Sequence, residues 1–352
     1  MKDLGQLLLE LVLIPSPTGR EQELSKHLFE TLDPLEHYDC QQLGLGLCYF
    51  GPQEAAKPTL AFFGHLDTVM DQQTDLPCIK EGRVYGCGAS DMKAGLAVMV
   101  SLMQKINTQL CQYNLIFVFY DREEGPYLEN GLEPILQEMG SLFDKIDLAF
   151  VLEPTDNQIE MGCLGGLHAE VGFSGKSAHS ARPWQGENAL HKAWGLLKKL
   201  SETERKEVEF GGLKFYEVLS ATQGRTNNSR NSIPATFELN LNYRFAPGKS
   251  LEQAKEEFLA WVGPEVSVRF VDEAPSAPVL VGNRILDQFV TRYQLSVLPK
   301  QAWTDIARLA LAGIPAVNFG PGSGAMAHQK DEWASLQELE RNYQTFSSFL
   351  LG

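Results

Sequence analysis

Histidine and carboxylate side chains of the kind that hold cations recur in five short segments of this 352-residue chain. The first is Gly64-His65-Leu66-Asp67-Thr68, where an imidazole directly follows an apolar run. Asp67, two residues on, can return to hold the ring from behind, which fixes its tautomer and raises its basicity. The second, Tyr85-Gly86-Cys87-Gly88-Ala89-Ser90-Asp91-Met92-Lys93-Ala94-Gly95, is a glycine-rich turn presenting Asp91 just before a helical segment. The third, Tyr120-Asp121-Arg122-Glu123-Glu124-Gly125, sets adjacent carboxylates at a strand end. That arrangement is costly unless a cation balances it, and it allows one carboxylate to bind metal while its neighbour handles protons. The fourth, Leu152-Glu153-Pro154-Thr155-Asp156, closes another apolar run, and the fifth, Ala325-Met326-Ala327-His328, follows the flexible stretch Gly320-Pro321-Gly322-Ser323-Gly324.

Each segment also has an ordinary reading. His65 alone is equally a loop histidine, Asp91 a helix cap, and 121–124 a solvated acidic turn. The Asp91 loop lacks the GxxxxGK[ST] spacing of a phosphate loop. Taken together, the segments supply two histidines and several carboxylates at strand ends. Nitrogen and oxygen donors without thiolates suit zinc, cobalt or manganese, and two such ions need about this many ligands, one carboxylate bridging.

These side chains need a scaffold, and the flanking sequence describes one. Leu4–Leu13 and Glu21–Leu32 have helical periodicity, separated by Pro15-Ser16-Pro17-Thr18-Gly19. Leu60–Gly64, Leu115–Tyr120 and Leu148–Leu152 are apolar runs of strand length, and Lys93–Ile106 is helical, so the first half predicts an α/β domain with a largely parallel, buried sheet. In such sheets ligands bind beyond the carboxyl ends of the strands. From about Gly166 the pattern changes. His168–Phe173 reads as a strand and Glu187–Leu200 as a helix. Thr236–Phe245 alternates, with Phe237, Leu239, Leu241, Tyr243 and Phe245 on one face, as a half-buried antiparallel strand does. A helix at Leu251–Val262 and a strand at Val266–Val271 complete a small α+β insert. Asp272–Pro278 is a candidate hinge, after which Ile314–Phe319 (strand) and Leu336–Leu350 (helix) resume the α/β pattern. The division expected is 1–165 and 277–352 for one domain, interrupted by 166–276.

Composition narrows the function. A formal net charge of −15 argues against nucleic acid or an anionic membrane as partner, since both need a basic footprint. The six cysteines have no CxxC spacing and read as reduced thiols. Met1–Ile14 carries Asp3 and Glu10 and reads as an amphipathic helix, no stretch is long and apolar enough to span a bilayer, and the cytoplasm is the expected location.

At the residues named above the chain resembles the M20 family of metallopeptidases and deacylases, over nearly its whole length and in the family's order. The motifs are GHLDTV at 64–69, GCGASDMKAG at 86–95, EEG at 123–125, EPTD at 153–156, SAHSARP at 177–183 and AH at 327–328. The resemblance implies a zinc-dependent exopeptidase-like α/β catalytic domain interrupted by a smaller α+β lid domain that mediates homodimerisation. It implies two divalent ions, zinc with cobalt or manganese as alternatives. His65 and Glu153 would bind one, Glu124 and His328 the other, and Asp91 would bridge them. Glu123 would be the general base and Asp67 the support of His65. His179 would reach the partner's site to hold an oxyanion, and Asn231 and Arg244 would contact substrate. The substrate implied is a small acylated amino acid.

Within the family, EPTD and AHSARPWQGENA resemble the branch that hydrolyses N-succinyl-LL-2,6-diaminopimelate to succinate and LL-diaminopimelate. N-acetylornithine deacetylase or another aminoacylase is the alternative, then a dipeptidase or aminopeptidase. A non-catalytic relative would be expected to lose metal ligands or the base, and this chain has the full set. One departure stands out. Where better-known desuccinylases carry an arginine pair, this chain has Gly162-Cys163-Leu164-Gly165-Gly166, leaving Arg182, Arg225, Arg230 or Arg244 to supply the charge.

Overall fold

The computed structural model describes residues 3–70 and 75–352; Met1 and Lys2, at the head of the first expected helix, lie outside them. The chain divides into two compact units, one formed by 3–70, 75–161, 280–298 and 304–352, the other by 162–279 with 299–303.

The first unit is built on an eight-stranded sheet. Its strands run in the order Asp39–Leu43, Gly46–Phe50, Asn114–Tyr120, Thr59–His65, Ile146–Val151, Ala316–Asn318, Ile159–Cys163, Val297–Lys300. The pairings of Thr59–His65 with both its neighbours, and of Ile146–Val151 with Ala316–Asn318, are parallel. The flanks are antiparallel, through the hairpin Asp39–Leu43/Gly46–Phe50 on one side and Ile159–Cys163 on the other. Every residue of Thr59–His65 and of Asn114–Tyr120 is buried, as expected for strands covered on both faces. Successive side chains leave opposite sides. Phe62 stacks on Phe117 with ring centres 4.9 Å apart and meets Phe346 edge-on at 5.1 Å, whereas Phe63 faces Phe143 of the helix Leu132–Phe143 at 6.3 Å. The helix Ala94–Lys105, buried from Ala94 to Met103, packs between the sheet and the helices Leu4–Val12 and Leu336–Leu351.

The parallel register aligns strand ends. His65 lies opposite Tyr120, and Phe63 opposite Val151, so 65–67, 121–124 and 152–153 emerge along one edge. Pairing of Trp333–Ser335 with Arg83–Tyr85 carries the late segment beside the glycine-rich turn.

The second unit is a five-stranded antiparallel sheet in the order Lys206–Phe210, Leu213–Arg225, Thr236–Phe245, Gly165–Ser174, Ser267–Ala274. Ala169, Val171, Phe173, Phe237, Leu239 and Leu241 form its core with Phe258 of the helix Leu251–Val262. The single helix expected over Glu187–Leu200 is two, Ala189–Lys192 and Trp194–Glu202, meeting at Ala193. Asn188 caps the first by accepting the His191 N–H. Asp272–Ala274, expected in the hinge, continues the last strand, because pairing with His168, Leu167 and Gly166 extends it to the prolines.

Gly95 shows how tightly the helix Ala94–Lys105 lies against the strand that delivers Glu153: a Cβ there would stand 2.4 Å from the Leu152 carbonyl oxygen. Gly95→Ala should therefore destabilise this unit by about 1–3 kcal/mol, read as a lower denaturant midpoint.

Candidate dinuclear metal centre

His65 is the last residue of its strand and is fully buried. Its Nδ1 donates to the main-chain carbonyl of Asp67 at 2.9 Å, while the Asp67 carboxylate lies 3.5 Å away. The support from behind thus comes chiefly through the backbone of Asp67. The carboxylate stands beside the ring and has further partners. It accepts the main-chain N–H groups of Glu123 and Glu124, each at 2.9 Å, and the Thr18 hydroxyl at 3.0 Å. Asp67 thereby holds the adjacent glutamates in place. Arg122, at φ 60°, supplies the left-handed turn that directs them there.

With Nδ1 donating, neutral His65 aims the lone pair of Nε2 at Asp91 Oδ1, 3.3 Å away, and at Glu153 Oε1, 3.8 Å away. His328, also in the left-handed region, has its Nε2 2.7 Å from Glu124 Oε1 and 3.4 Å from Asp91 Oδ2. The two oxygens of Asp91 therefore face two different histidines. Donor atoms of His65, Asp91 and Glu153 lie within 4.8 Å of one another, and so do those of Asp91, Glu124 and His328. Glu123 joins through a third group with His65 and Glu124. A lone pair aimed at carboxylate oxygens is repulsive until a proton or a cation lies between them. The donor set, three carboxylates and two imidazoles in two triads sharing Asp91, fits a pair of divalent cations. The burial is graded: His65 and Glu153 form the floor, while the His328 side chain is 50% exposed at the rim.

The electrostatics reflect the same crowding. Burial, reinforced by the neighbouring Glu153 charge, pushes the Glu123 carboxyl well above the usual range, and burial also raises Glu124. Burial works against the charge of Asp91 too, but hydrogen bonding to His328 and His65 outweighs it and holds that group low. The same contacts, with Asp91 and Glu124, push His328 up to about 10. Cation binding displaces such protons.

Residues 61–352, which carry the centre, match Peptidase family M20/M25/M40. The chain belongs to this family. Among its relatives is the succinyl-diaminopimelate desuccinylase of Corynebacterium glutamicum, 32% identical over 340 residues, covering 94% of this chain and 91% of the relative. A Mycobacterium tuberculosis protein provisionally given the same name is 37% identical over 271 residues, 76% of this chain and 75% of that one. The fold is also that of an M20 family metallo-carboxypeptidase from Sulfolobus solfataricus, with a TM-score of 0.78 at 17% identity, covering 100% of this chain and 99% of the other.

The other three residues singled out in this M20 chain lie in the second unit. His179 is exposed and pairs with Ser232 in a two-stranded ribbon, where the Asn231 carbonyl accepts the Ser180 N–H at 2.9 Å, so His179 and Asn231 are neighbours. Arg244 is half-buried near the far end of Thr236–Phe245, opposite Gly166, and roughly 26 Å from the start of that strand at about 3.3 Å per residue.

Three supports of the centre have no signal in the sequence. Ser90 Oγ donates to the Ser323 carbonyl at 2.9 Å and accepts the Ser323 N–H at 2.7 Å. Glu332, 2% exposed, accepts the main-chain N–H groups of Gly88, Ser90 and Asp91 at 2.8, 2.8 and 2.9 Å. Behind the third segment, buried Asp305 accepts from Asn130 at 2.9 and 3.1 Å and from Arg308 at 3.2 Å; Arg308 donates to the Tyr127 carbonyl at 2.7 Å and pairs with Glu133. No periodicity or spacing separates Glu332 from the solvated Asp331 beside it.

Asp67→Asn would turn an amide N–H₂ against main-chain donors that now meet a carboxylate. Loss of a charged acceptor of this kind costs about 1.5–3 kcal/mol. The variant should melt lower and lose turnover together, checked by thermal unfolding and assay of one preparation.

Proposed function

We propose that the chain is a dinuclear zinc amide hydrolase that converts N-succinyl-LL-2,6-diaminopimelate and water to succinate and LL-diaminopimelate in the cytoplasm, as a step of diaminopimelate and lysine biosynthesis. The observation that carries the chemistry is the pair of triads sharing Asp91. The substrate rests on the desuccinylase relative that spans 94% of the chain. In this reading 1–165 and 277–352 form the catalytic domain and 166–276 the lid through which two copies dimerise. That no helix among the described residues is long and apolar enough to cross a membrane is consistent with the proposed location.

His65 and Glu153 would hold one ion, Glu124 and His328 the other, with Asp91 shared. Bound there, the ions supply Lewis acidity, lowering the pKa of a water and polarising the amide carbonyl. Glu123 takes the proton of the attacking water and returns it to the leaving amine, a service typically worth about 10²- to 10⁴-fold. Its place beside the two triads, in a group with His65 and Glu124, suits it to both transfers. His179 Nδ1 accepts the Ala181 N–H at 3.1 Å, which leaves the proton on Nε2, the form that donates to an oxyanion. Arg244 is assigned a substrate carboxylate and Asn231 a polar contact beside His179.

The purified protein loaded with zinc, assayed on N-succinyl-LL-diaminopimelate, N-acetylornithine and a dipeptide, should strongly prefer the first. Chelation should abolish the activity and zinc should restore it. Preference for either other substrate would keep the mechanism and overturn the desuccinylase assignment. Glu123→Gln should keep metal and lose nearly all turnover. If His179 acts across a dimer, mixing inactive His179→Ala with inactive Glu123→Gln should restore part of the activity as subunits exchange. Exchange without recovery would remove the trans-acting role.

A further inference from the structure

We propose that Glu332 is a positioning residue of the metal centre, fixing Asp91 in the orientation that lets it face both triads. Three observations converge on it. Its carboxylate is buried and takes three main-chain N–H groups of the turn carrying Asp91, one of them the N–H of Asp91 itself. Its own main-chain carbonyl accepts the Gly86 N–H at 3.1 Å, so both ends of the turn are tied to one residue. It also stands four residues after His328, immediately before Trp333, whose strand pairs with Arg83–Tyr85. A single side chain thus joins the segment bearing Asp91 to the segment bearing His328.

The turn needs such a tie. Gly88 is at φ 77°, where a Cβ would also strike Thr68 at 2.4 Å, so the backbone here is irregular and turns its N–H groups inward rather than into a helix or sheet ladder. Without Glu332 those N–H groups would be buried and unmet. With it, Asp91 keeps Oδ1 toward His65 and Oδ2 toward His328, the two-sided presentation a bridging carboxylate requires. Glu332 touches neither the proposed cations nor the substrate, and its effect runs through Asp91. Partners that orient ligands in this way are commonly worth roughly 10- to 100-fold in metal affinity.

The inference rests on the two-cation reading. The test is zinc binding by the metal-free full chain, titrated against a competing fluorescent chelator for wild type, Glu332→Gln and Glu332→Ala, with thermal unfolding of each metal-free protein. Glutamine keeps an oxygen for Ser90 and Asp91 but turns an amide against Gly88, so it is the milder change and the variant that retains the fold if alanine does not. Wild type should bind two zinc ions. Glu332→Gln should hold the weaker of the two roughly 10-fold less tightly, and Glu332→Ala roughly 100-fold less tightly. A cobalt-loaded Glu332→Gln protein should show an altered visible spectrum. Two zinc ions bound by Glu332→Gln as tightly as by wild type, whatever the change in melting temperature, would reduce Glu332 to a structural clamp and overturn the proposal. A wild-type chain that takes fewer than two zinc ions would overturn the two-cation reading, and the proposal with it.

Discussion

Asp67, Asp91, Glu123, Glu124 and Glu153 converge on one edge of a sheet whose interior is apolar. At an effective dielectric of about 20, two unit charges 4 Å apart repel by about 4 kcal/mol, so a group of this density does not stay ionised without compensation. The chain provides it in two layers. Asp67 is compensated by His65 and by main-chain N–H groups, and it places Glu123 and Glu124 as well as backing the His65 ring. Asp91, Glu124 and Glu153 point toward imidazole nitrogens across gaps of 2.7 to 3.8 Å, distances that a cation between them would bring into coordination.

Such crowding is tolerable because the surroundings are stiff. The strands bearing His65 and leading to Glu123 and Glu153 are buried on both faces and locked in parallel register, and a phenylalanine cluster around Phe62, Phe150, Phe289 and Phe346 fills one side of the sheet. Repulsion at the edge is met by packing in the interior, so the carboxylates cannot relax by drifting apart.

Much of this was legible in the sequence. The apolar runs at 60–64, 115–120 and 148–152 are strands: the first two gain a residue or two where parallel pairing continues past the apolar stretch, and the third begins at Ile146 and ends at Val151, one residue short of Leu152. Of the residues brought together in the triads, His65, Glu124 and Glu153 are marked by their position after those runs, and Asp91 and His328 by the glycine-rich stretches beside them. What stayed hidden is of two kinds. The long strand Leu213–Arg225 loses its alternation where a bulge at Ala221–Gln223 interrupts the register, and its outer half is exposed, so no two-residue period announces it. Glu332, Ser90 and Arg308 act on main-chain groups far away in sequence, and hydrogen bonds to the backbone carry no residue code that a single chain displays. Asp67 has partners beyond the expected His65 for the same reason: the side chain was visible, but the N–H groups it would meet were not.

The strand Ala316–Asn318 lies between Ile146–Val151 and Ile159–Cys163, although both are made long before it. A sheet formed from the residues up to Cys163 alone would have an open slot, bordered by one unpaired edge of Ile146–Val151, with the whole of Gly165–Ala274 still to follow in the chain. An unpaired, buried-type strand is a template for pairing with another chain. The nascent protein must keep that slot empty until residues 316–318 arrive, and His328 follows only ten residues later. A chain that stops short of residue 316 would therefore carry the open slot and lack His328 of the centre, so such a truncated product would be sticky before it could be active.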